Sequence, residues 1–368
     1  MNRQAPTLED VAREAGVSRA TVSRVINGIR NVDPDIQEVV RRAIDSTGYA
    51  PNRAARSLVT RRAETIALVV SGAGGENPGA KDGAANDAKD GRDARDGQQD
   101  AAQHEFAARV FGDPFFGRVV SGVVGFLRPR SMHPVLMFAE SESARTQVVD
   151  YLRQGSADGA LVVSTHAEDP LPARLAAERL PAVCFARPAV PAPVSFVDLA
   201  HRHGGLLAAQ HLLERGRRRV TTVTGPLDVP AGQERLAGFR DGTERAGVPY
   251  VPIVEGGFTL ASGVAAMERL LAEHPEVDGV FAGNDLMAQG VCQVLARHGR
   301  RVPQDVAVVG FDDSSVALTC SPPLTTVRQP VEEMAATMAQ LLEEYIHGDR
   351  TDPTSVIFDP ELVVREST

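Results

Sequence analysis

A chain of 368 residues is too long for a single small core, and at roughly 150 residues per domain it should hold two or three folded units. No apolar run of roughly 18 residues occurs, and Glu9, Asp10, Arg13 and Glu14 stand where a signal peptide would need an apolar stretch, so a soluble, cytoplasmic protein without membrane contact is expected. The net charge of −9 argues against nucleic acid only if it is spread evenly, and it is not: residues 1–62 carry eleven Arg and seven acids, a net +4, leaving −13 on the rest.

The basic head reads as three helices. Thr7 with Asp10 forms a capping-box-like start, and Leu8, Val11, Ala12 and Ala15 follow at helical spacing until Gly16. Ser18 can cap a second helix whose apolar face is Val22, Val25 and Ile26, leaving Arg19, Ala20, Ser23 and Arg24 off that face. Two short helices around a Gly-containing turn make a helix-turn-helix. Asp33 and Pro34 open a third, with Ile36, Val39, Val40, Ala43 and Ile44 on one stripe and Gly48 as its stop. Asn52 to Leu58 contains good helix formers but is too short to be a stable helix alone, so residues 52–62 read as a linker with latent helicity.

From residue 65 short apolar strands alternate with amphipathic helices. The strand candidates are Thr65 to Val70, Val135 to Phe138, Gly159 to Val163, Ala182 to Phe185, Val220 to Thr224, Gly279 to Ala282, Val306 to Phe311 and Leu362 to Val364. Such alternation predicts parallel sheets with helices on both faces, in two lobes. Residues 71–108, with seven Gly, ten Ala, eight acids, four bases and almost no large apolar side chain, read as a disordered insertion. Its place after the first strand of the body would also suit a lid over a cleft. Cys184, Cys292 and Cys320, odd in number and far apart, read as buried reduced thiols.

Several motifs then carry a resemblance. Thr7-Leu8-Glu9-Asp10-Val11-Ala12, Gly16-Val17-Ser18, Thr21 to Val25 and Asn27 resemble the head of the lactose-repressor (LacI/GalR) family of bacterial regulators. The likeness continues through Tyr49, Pro51-Asn52-Arg53, Ala55 and Leu58. It recurs at Gly225-Pro226, Arg235 to Phe239, Asn284-Asp285, Met287-Ala288, Val302 to Asp313 and Pro323 to Pro330. The resemblance implies a small all-α helix-turn-helix domain (1–51), a hinge-helix linker (52–62) and an α/β two-lobed periplasmic-binding-protein-like domain (63–368) that binds an effector and forms a homodimer. The insertion, Leu199 where Asn is common after Asp198, and Ala186 at a pocket position depart from the family.

A recognition helix in the major groove reads base edges with its N-terminal residues, so Arg19, Ala20 and Arg24 are the candidates for sequence readout. Thr7, Ser18, Thr21, Ser23 and Asn27 suit phosphate contacts. The resemblance adds Tyr49, Asn52, Arg53, Ala55 and Leu58, the last as a minor-groove wedge, and implies a near-palindromic operator. For the effector, a sugar site wants planar polar groups for hydroxyls and aromatic faces for ring C–H groups. Arg235, Asn284 and Asp312 fall on family pocket positions, with Ser164, Arg187 and Gln329 beside them, while Phe115, Phe116 and Phe258 could stack. Arg235 with Asp312 could instead be a structural ion pair, and Phe116 heads an apolar helix stripe that suits the core.

The resulting expectation is a transcription repressor controlled by a small molecule, probed first as a sugar, with no cofactor, metal or catalytic group. A corepressor- or nucleoside-responsive regulator, or a sugar-binding protein with a vestigial head, are the rivals; no nucleophile with a neighbouring base suggests an enzyme.

Overall fold

The computed structural model describes residues 6–26, 32–49, 62–72, 104, 106–108, 110–164, 166 and 168–368. It divides into two compact units, Met1–Thr65 with Gly155–Asp158, and Ile66–Gln154 with Gly159–Thr368.

In the first unit, α1 (Leu8–Ala15), α2 (Arg19–Ile26) and α3 (Pro34–Thr47) form where the caps predict. The Thr7 amide donates to the Asp10 carboxylate at 2.9 Å while the Asp10 amide donates back to the Thr7 hydroxyl, which closes the capping box. Gly16 ends α1 at φ 64°, a conformation glycine reaches without a Cβ clash. Ser18 accepts from the Thr21 amide at 3.1 Å, and Asp33 accepts from the Asp35 amide ahead of Pro34. Val11, Val22, Val40 and Ala43 are buried among Leu8, Ala12, Ala15, Val17, Val25, Ile26, Ile44 and Tyr49. Ile36 and Val39 depart from the predicted stripe and are 36% and 37% exposed. Helices α1 and α2, eight residues or about 12 Å each, cannot cover the about 21 Å of a fourteen-residue α3.

The second unit has two six-stranded sheets. One has the order β11-β5-β4-β3-β1-β2, from β1 (Thr65–Ser71), β2 (His133–Ala139), β3 (Gly159–Ser164), β4 (Ala182–Phe185), β5 (Ser195–Leu199) and β11 (Ser355–Phe358). The other has the order β12-β10-β9-β8-β6-β7, from β6 (Val220–Thr224), β7 (Ile253–Glu255), β8 (Gly279–Ala282), β9 (Ala307–Asp312), β10 (Thr325–Arg328) and β12 (Glu361–Val363). The inner strands pair in parallel, and β12 runs antiparallel to β10. The chain therefore changes lobe three times, after β5, β10 and β11.

The helices are α4 (Pro114–Leu127), α5 (Glu142–Arg153), α6 (Leu171–Ala177), α7 (His201–Glu214), α8 (Pro230–Arg245), α9 (Leu260–Glu273), α10 (Asp285–Arg297), α11 (Ser315–Thr319) and α12 (Val331–His347). Helices α4 and α12 cover the first sheet through Val119, Val123, Leu127, Met334 and Met338 against Ile66, Leu68 and Leu161. Helices α9 and α10 bury Met267, Leu270, Met287 and Val291 against Val223, Val280 and Val308 of the second. Burial of this apolar surface is the main stabilising term, about 25 cal/mol per Å2. All three cysteines are free and buried.

Both ends of the expected insertion are ordered. Ser71 closes β1, and Phe106 packs with Val110 against Val70 and Phe138, because Phe106 is the one large apolar side chain that a composition average over 71–108 dilutes. Residues 73–103 and 105 of that segment, like Asn27, Asn52, Arg53, Ala55, Leu58 and most of the 52–62 linker, lie outside the described residues.

Candidate effector cleft and DNA-reading helix

Arg235, in the second turn of α8, is the hub of a buried polar cluster at the carboxyl ends of the strands, where open α/β sheets place ligands. It is 6% exposed. Its guanidinium donates to Nδ1 of His201 at 3.3 Å, to the Gly283 carbonyl at 2.5 Å and to Oε1 of Gln329 at 3.2 Å. It lies 3.6 Å over the Phe311 ring, so one face of the cation is shielded by an aromatic quadrupole. Burial depresses its affinity for a proton, and the carboxylates of Asp312, Asp285, Asp198 and Asp113 work in the opposite direction.

Asp312 ends β9 at φ 101°, a strained conformation of the kind functional sites retain. Its carbonyl is held by Arg118 at 2.7 Å, and one carboxylate oxygen sits 3.6 Å from Arg235. Burial, with the like charges of Asp285 and Asp113, pushes its carboxyl up to about 8 despite Arg235 and Arg118. The contact anticipated as an Arg235–Asp312 ion pair is thus an approach of 3.6 Å, longer than a direct hydrogen bond, to a carboxyl that burial holds largely neutral near pH 7.

The other candidates divide. Gln329, 2% exposed, belongs to the Arg235 cluster. Asn284 caps α10 by accepting from the Met287 amide at 2.9 Å and donates to the Phe258 carbonyl at 2.9 Å, so much of its amide is already occupied. Phe258, at φ 59°, lies 5.7 Å from the Arg235 guanidinium. Phe115 meets Phe116 and Phe185 edge-on at 5.3 and 5.2 Å. Phe116 packs against both Val70 and the main core, as its apolar stripe allows. Ser164 donates to Asp169 at 2.5 Å, within a separate cluster with Ser71 at the carboxyl ends of β1 and β3. Arg187 presents an exposed side chain, and its backbone amide donates to Asp198.

Sequence reasoning missed three polar members of this region. His201, the first residue of α7, is 6% exposed and lies 3.4 Å from Asp198 of β5. Arg118 of α4 binds Glu332 through Nε and Nη2 at 2.8 and 2.7 Å and the carbonyls of Asp312 and Gln329 through Nη1 and Nη2, tying the first lobe to the end of β9 and to the crossover after β10. Asp113 caps α4 through the Phe115 amide, and burial raises its carboxyl. Only their position after a strand or before an apolar helix hinted at such roles. A cavity of about 760 Å3 adjoins this region through Arg118 and Glu332 and is lined further by Asp313, Ser315, Arg328 and Arg365, not by Arg235.

On the head, Ser18, Arg19, Ala20 and Arg24 are exposed, as a reading helix requires, and Thr21 and Ser23 are half-buried. Arg19 pairs with Glu9 of α1 at 3.0 Å. The hydroxyls of Ser18 and Thr21 are 2.9 Å apart, that of Thr7 donates to Asp10, and Tyr49 packs on the head core.

A helix-turn-helix head on a two-lobed periplasmic-binding-protein-like body defines a ligand-responsive DNA-binding regulator. Residues 7–52 match the model for bacterial regulatory proteins of the lacI family, and 209–368 match that for the periplasmic-binding-protein-like domain. The chain is 44% identical over 369 residues to the HTH-type transcriptional regulator CelR of Thermobifida fusca, covering 99% of each. It is 34% identical over 376 residues to the ribose operon repressor of Escherichia coli K12, covering 98% of this chain and 99% of that one. A CelR–cellobiose complex matches with TM-score 0.70 at 42% identity over 99% of this chain and 100% of that one. The lac repressor dimer bound to operator and the anti-inducer ONPF matches in fold with TM-score 0.77, at 24% identity over 99% of each chain. The chain belongs to the lacI family and is a sequence-specific DNA-binding transcriptional regulator.

Proposed function

We propose that this regulator is a homodimeric repressor whose grip on a near-palindromic operator is set by a carbohydrate, with a β-linked glucose disaccharide such as cellobiose as the first candidate. The observation that carries this reading is the Arg235–Asp312 pair: a buried guanidinium beside the carboxyl of a residue with a strained backbone, with no side-chain hydrogen bond between them, so that both can meet adjacent sugar hydroxyls. Phe258 and Phe115 supply aromatic surface nearby. The cellobiose complex of a relative at 42% identity supports the choice of sugar.

Residues 1–51 act as the reading head, with Arg19, Ala20 and Arg24 on base edges and Thr7, Ser18, Thr21 and Ser23 toward phosphates. Asn27, Tyr49, Asn52, Arg53 and Ala55 complete the contact surface, and Leu58 of the linker wedges into the minor groove. Residues 63–368 sense the sugar between two lobes. Effector binding favours one lobe arrangement over the other, and operator affinity falls by that difference.

The test is operator affinity on the gene's own upstream DNA, with and without cellobiose, beside calorimetric titration of the sugar. Arg235→Ala and Asp312→Ala should keep near-normal operator affinity and lose the sugar response, since a buried site missing one polar partner rejects its ligand by more than that contact. Variants that still respond would overturn this placement, and tighter operator binding with sugar would reverse the sign to corepression.

A further inference from the structure

Three buried side chains from three elements stand in a row: Asp198 of β5, His201 of α7 and Arg235 of α8, 5%, 6% and 6% exposed. The Arg235 Nε–H can only donate, so Nδ1 of His201 must be the unprotonated ring nitrogen, and the ring proton sits on Nε2, facing Asp198 at 3.4 Å. The His201 ring also lies 5.9 Å from that of Phe311, the ring on which the Arg235 guanidinium rests. Behind it, Asp198 is fixed by the amides of Leu199 and Arg187.

We propose that His201 is a positioning residue: with Asp198 as its anchor, it holds the Arg235 guanidinium in the orientation that receives the effector and ties that orientation to the first crossover between the lobes. This rests on the reading of Arg235 as an effector contact. Asp198 belongs to the first lobe's sheet, His201 opens the crossing segment and Arg235 stands in the second lobe. A change of lobe angle that separates Asp198 from His201 therefore frees the ring and, through it, the guanidinium.

The row works only with a neutral imidazole. A proton on Nδ1 would set N–H against N–H and cation against cation. The charged groups facing the ring are Arg235 from α8, Arg187 from the segment after β4 and Asp198 from β5, with Asp312, Asp285 and Asp113 acting on Arg235 from beyond. Burial, Arg235 and Arg187 lower the ring's proton affinity and outweigh Asp198, so His201 stays neutral well into mild acid. The charge on Asp198 persists there too: burial opposes it, but the His201 hydrogen bond and the two amides hold its carboxyl below the usual range.

The experiment compares wild type with His201→Asn, whose amide oxygen can replace Nδ1 as acceptor, His201→Leu, which has no acceptor, and Arg235→Ala. Cellobiose affinity is measured by calorimetry from pH 7.5 to pH 5, operator affinity in each variant reports folding, and the His201 ring is followed by nitrogen NMR in the unliganded protein. His201→Leu should weaken cellobiose about tenfold or more at pH 7.5 with operator affinity intact. His201→Asn should bind within a few-fold of wild type and lose the fall in affinity that wild type shows only once the pH drops below the ordinary imidazole range. In Arg235→Ala the ring should titrate nearer its ordinary value. Wild-type binding by His201→Leu, an acid limb that persists in His201→Asn, or an unmoved ring titration in Arg235→Ala would each overturn the proposal. If His201→Leu fails to fold, the His201→Asn profile decides. If Arg235→Ala binds cellobiose as wild type does, the cleft reading falls and the proposal with it. If wild type binds no cellobiose, the choice of sugar falls, while the ring titration still decides the relay.

Discussion

Gly205 of α7 lies directly against the carbonyl of Arg235 on α8, so close that a Cβ at Gly205 would fall inside the van der Waals radius of that oxygen. Gly238 makes the reciprocal contact with the carbonyl of Arg202. The main chains of the two helices therefore touch, which brings His201 and Arg235 within hydrogen-bonding reach of one another. Gly205→Ala should push α8 away and cost about 1–3 kcal/mol, as overpacking does. Thermal unfolding and sugar titration check this: a lower Tm together with weakened effector binding is expected, and an unchanged protein would mean that α8 moves freely.

Asp312 predicts a pH effect whose sign follows from its raised carboxyl. The folded state prefers the neutral form, so the stability this proton contributes is fully present below the ordinary carboxylate range and is lost as pH rises through about 8. Asp312→Asn is neutral at every pH and should escape that loss. Its Tm relative to wild type should be higher at pH 8.5 than at pH 5, apart from a constant offset from the altered contact with Arg235. Equal pH slopes in the two proteins would refute the argument.

Asp285 carries a different kind of dependence. Its buried carboxylate accepts from Thr326 Oγ1 at 2.7 Å, the Ser314 amide at 2.8 Å and Ser314 Oγ at 3.1 Å, tying α10 to the strands beside Asp312. Asp285→Ala would strand these donors, and one unpaired buried group costs about 1–3 kcal/mol. Chemical denaturation should show at least that loss, and a smaller one would mean that water enters the site.

Much of the architecture was legible because local signals agreed with one another. The caps at Thr7, Ser18 and Asp33 set the starts of three helices, and β4, β6 and β8 fall on the apolar runs that predicted them. The strands that escaped notice are polar, short or at an edge. Asp198 interrupts β5, three threonine or arginine residues make up most of β10, β7 has three residues, and β11 at the sheet edge is only partly covered. In the cleft, motif positions pointed to Arg235, Asp312 and Gln329. His201 and Arg118 could not be found that way, because their roles depend on a helix contact and a lobe contact far apart in sequence. Asn284 shows the converse: its motif position is satisfied in large part by a helix cap.

The last prediction concerns the reading helix. Arg19 is 71% exposed and pairs with a half-exposed Glu9 at 3.0 Å. An exposed pair of this kind is worth about 0–1 kcal/mol, whereas a bidentate contact to guanine discriminates by about 1–3 kcal/mol. If Arg19 reads a base as proposed, the base contact outweighs the pair, and Glu9 gives up the guanidinium when DNA binds. Arg19→Ala should relax specificity at one position of each half-site by about 1–3 kcal/mol. Glu9→Gln should strengthen binding to operator and non-operator DNA alike, because it removes a carboxylate from a surface that faces phosphates. Fluorescence anisotropy on the operator and on single-base variants, at two salt concentrations, separates the cases. If Arg19→Ala weakens every variant equally and flattens the salt slope, Arg19 binds a phosphate. A gain confined to operator DNA in Glu9→Gln would instead mean that Glu9 competes with a base.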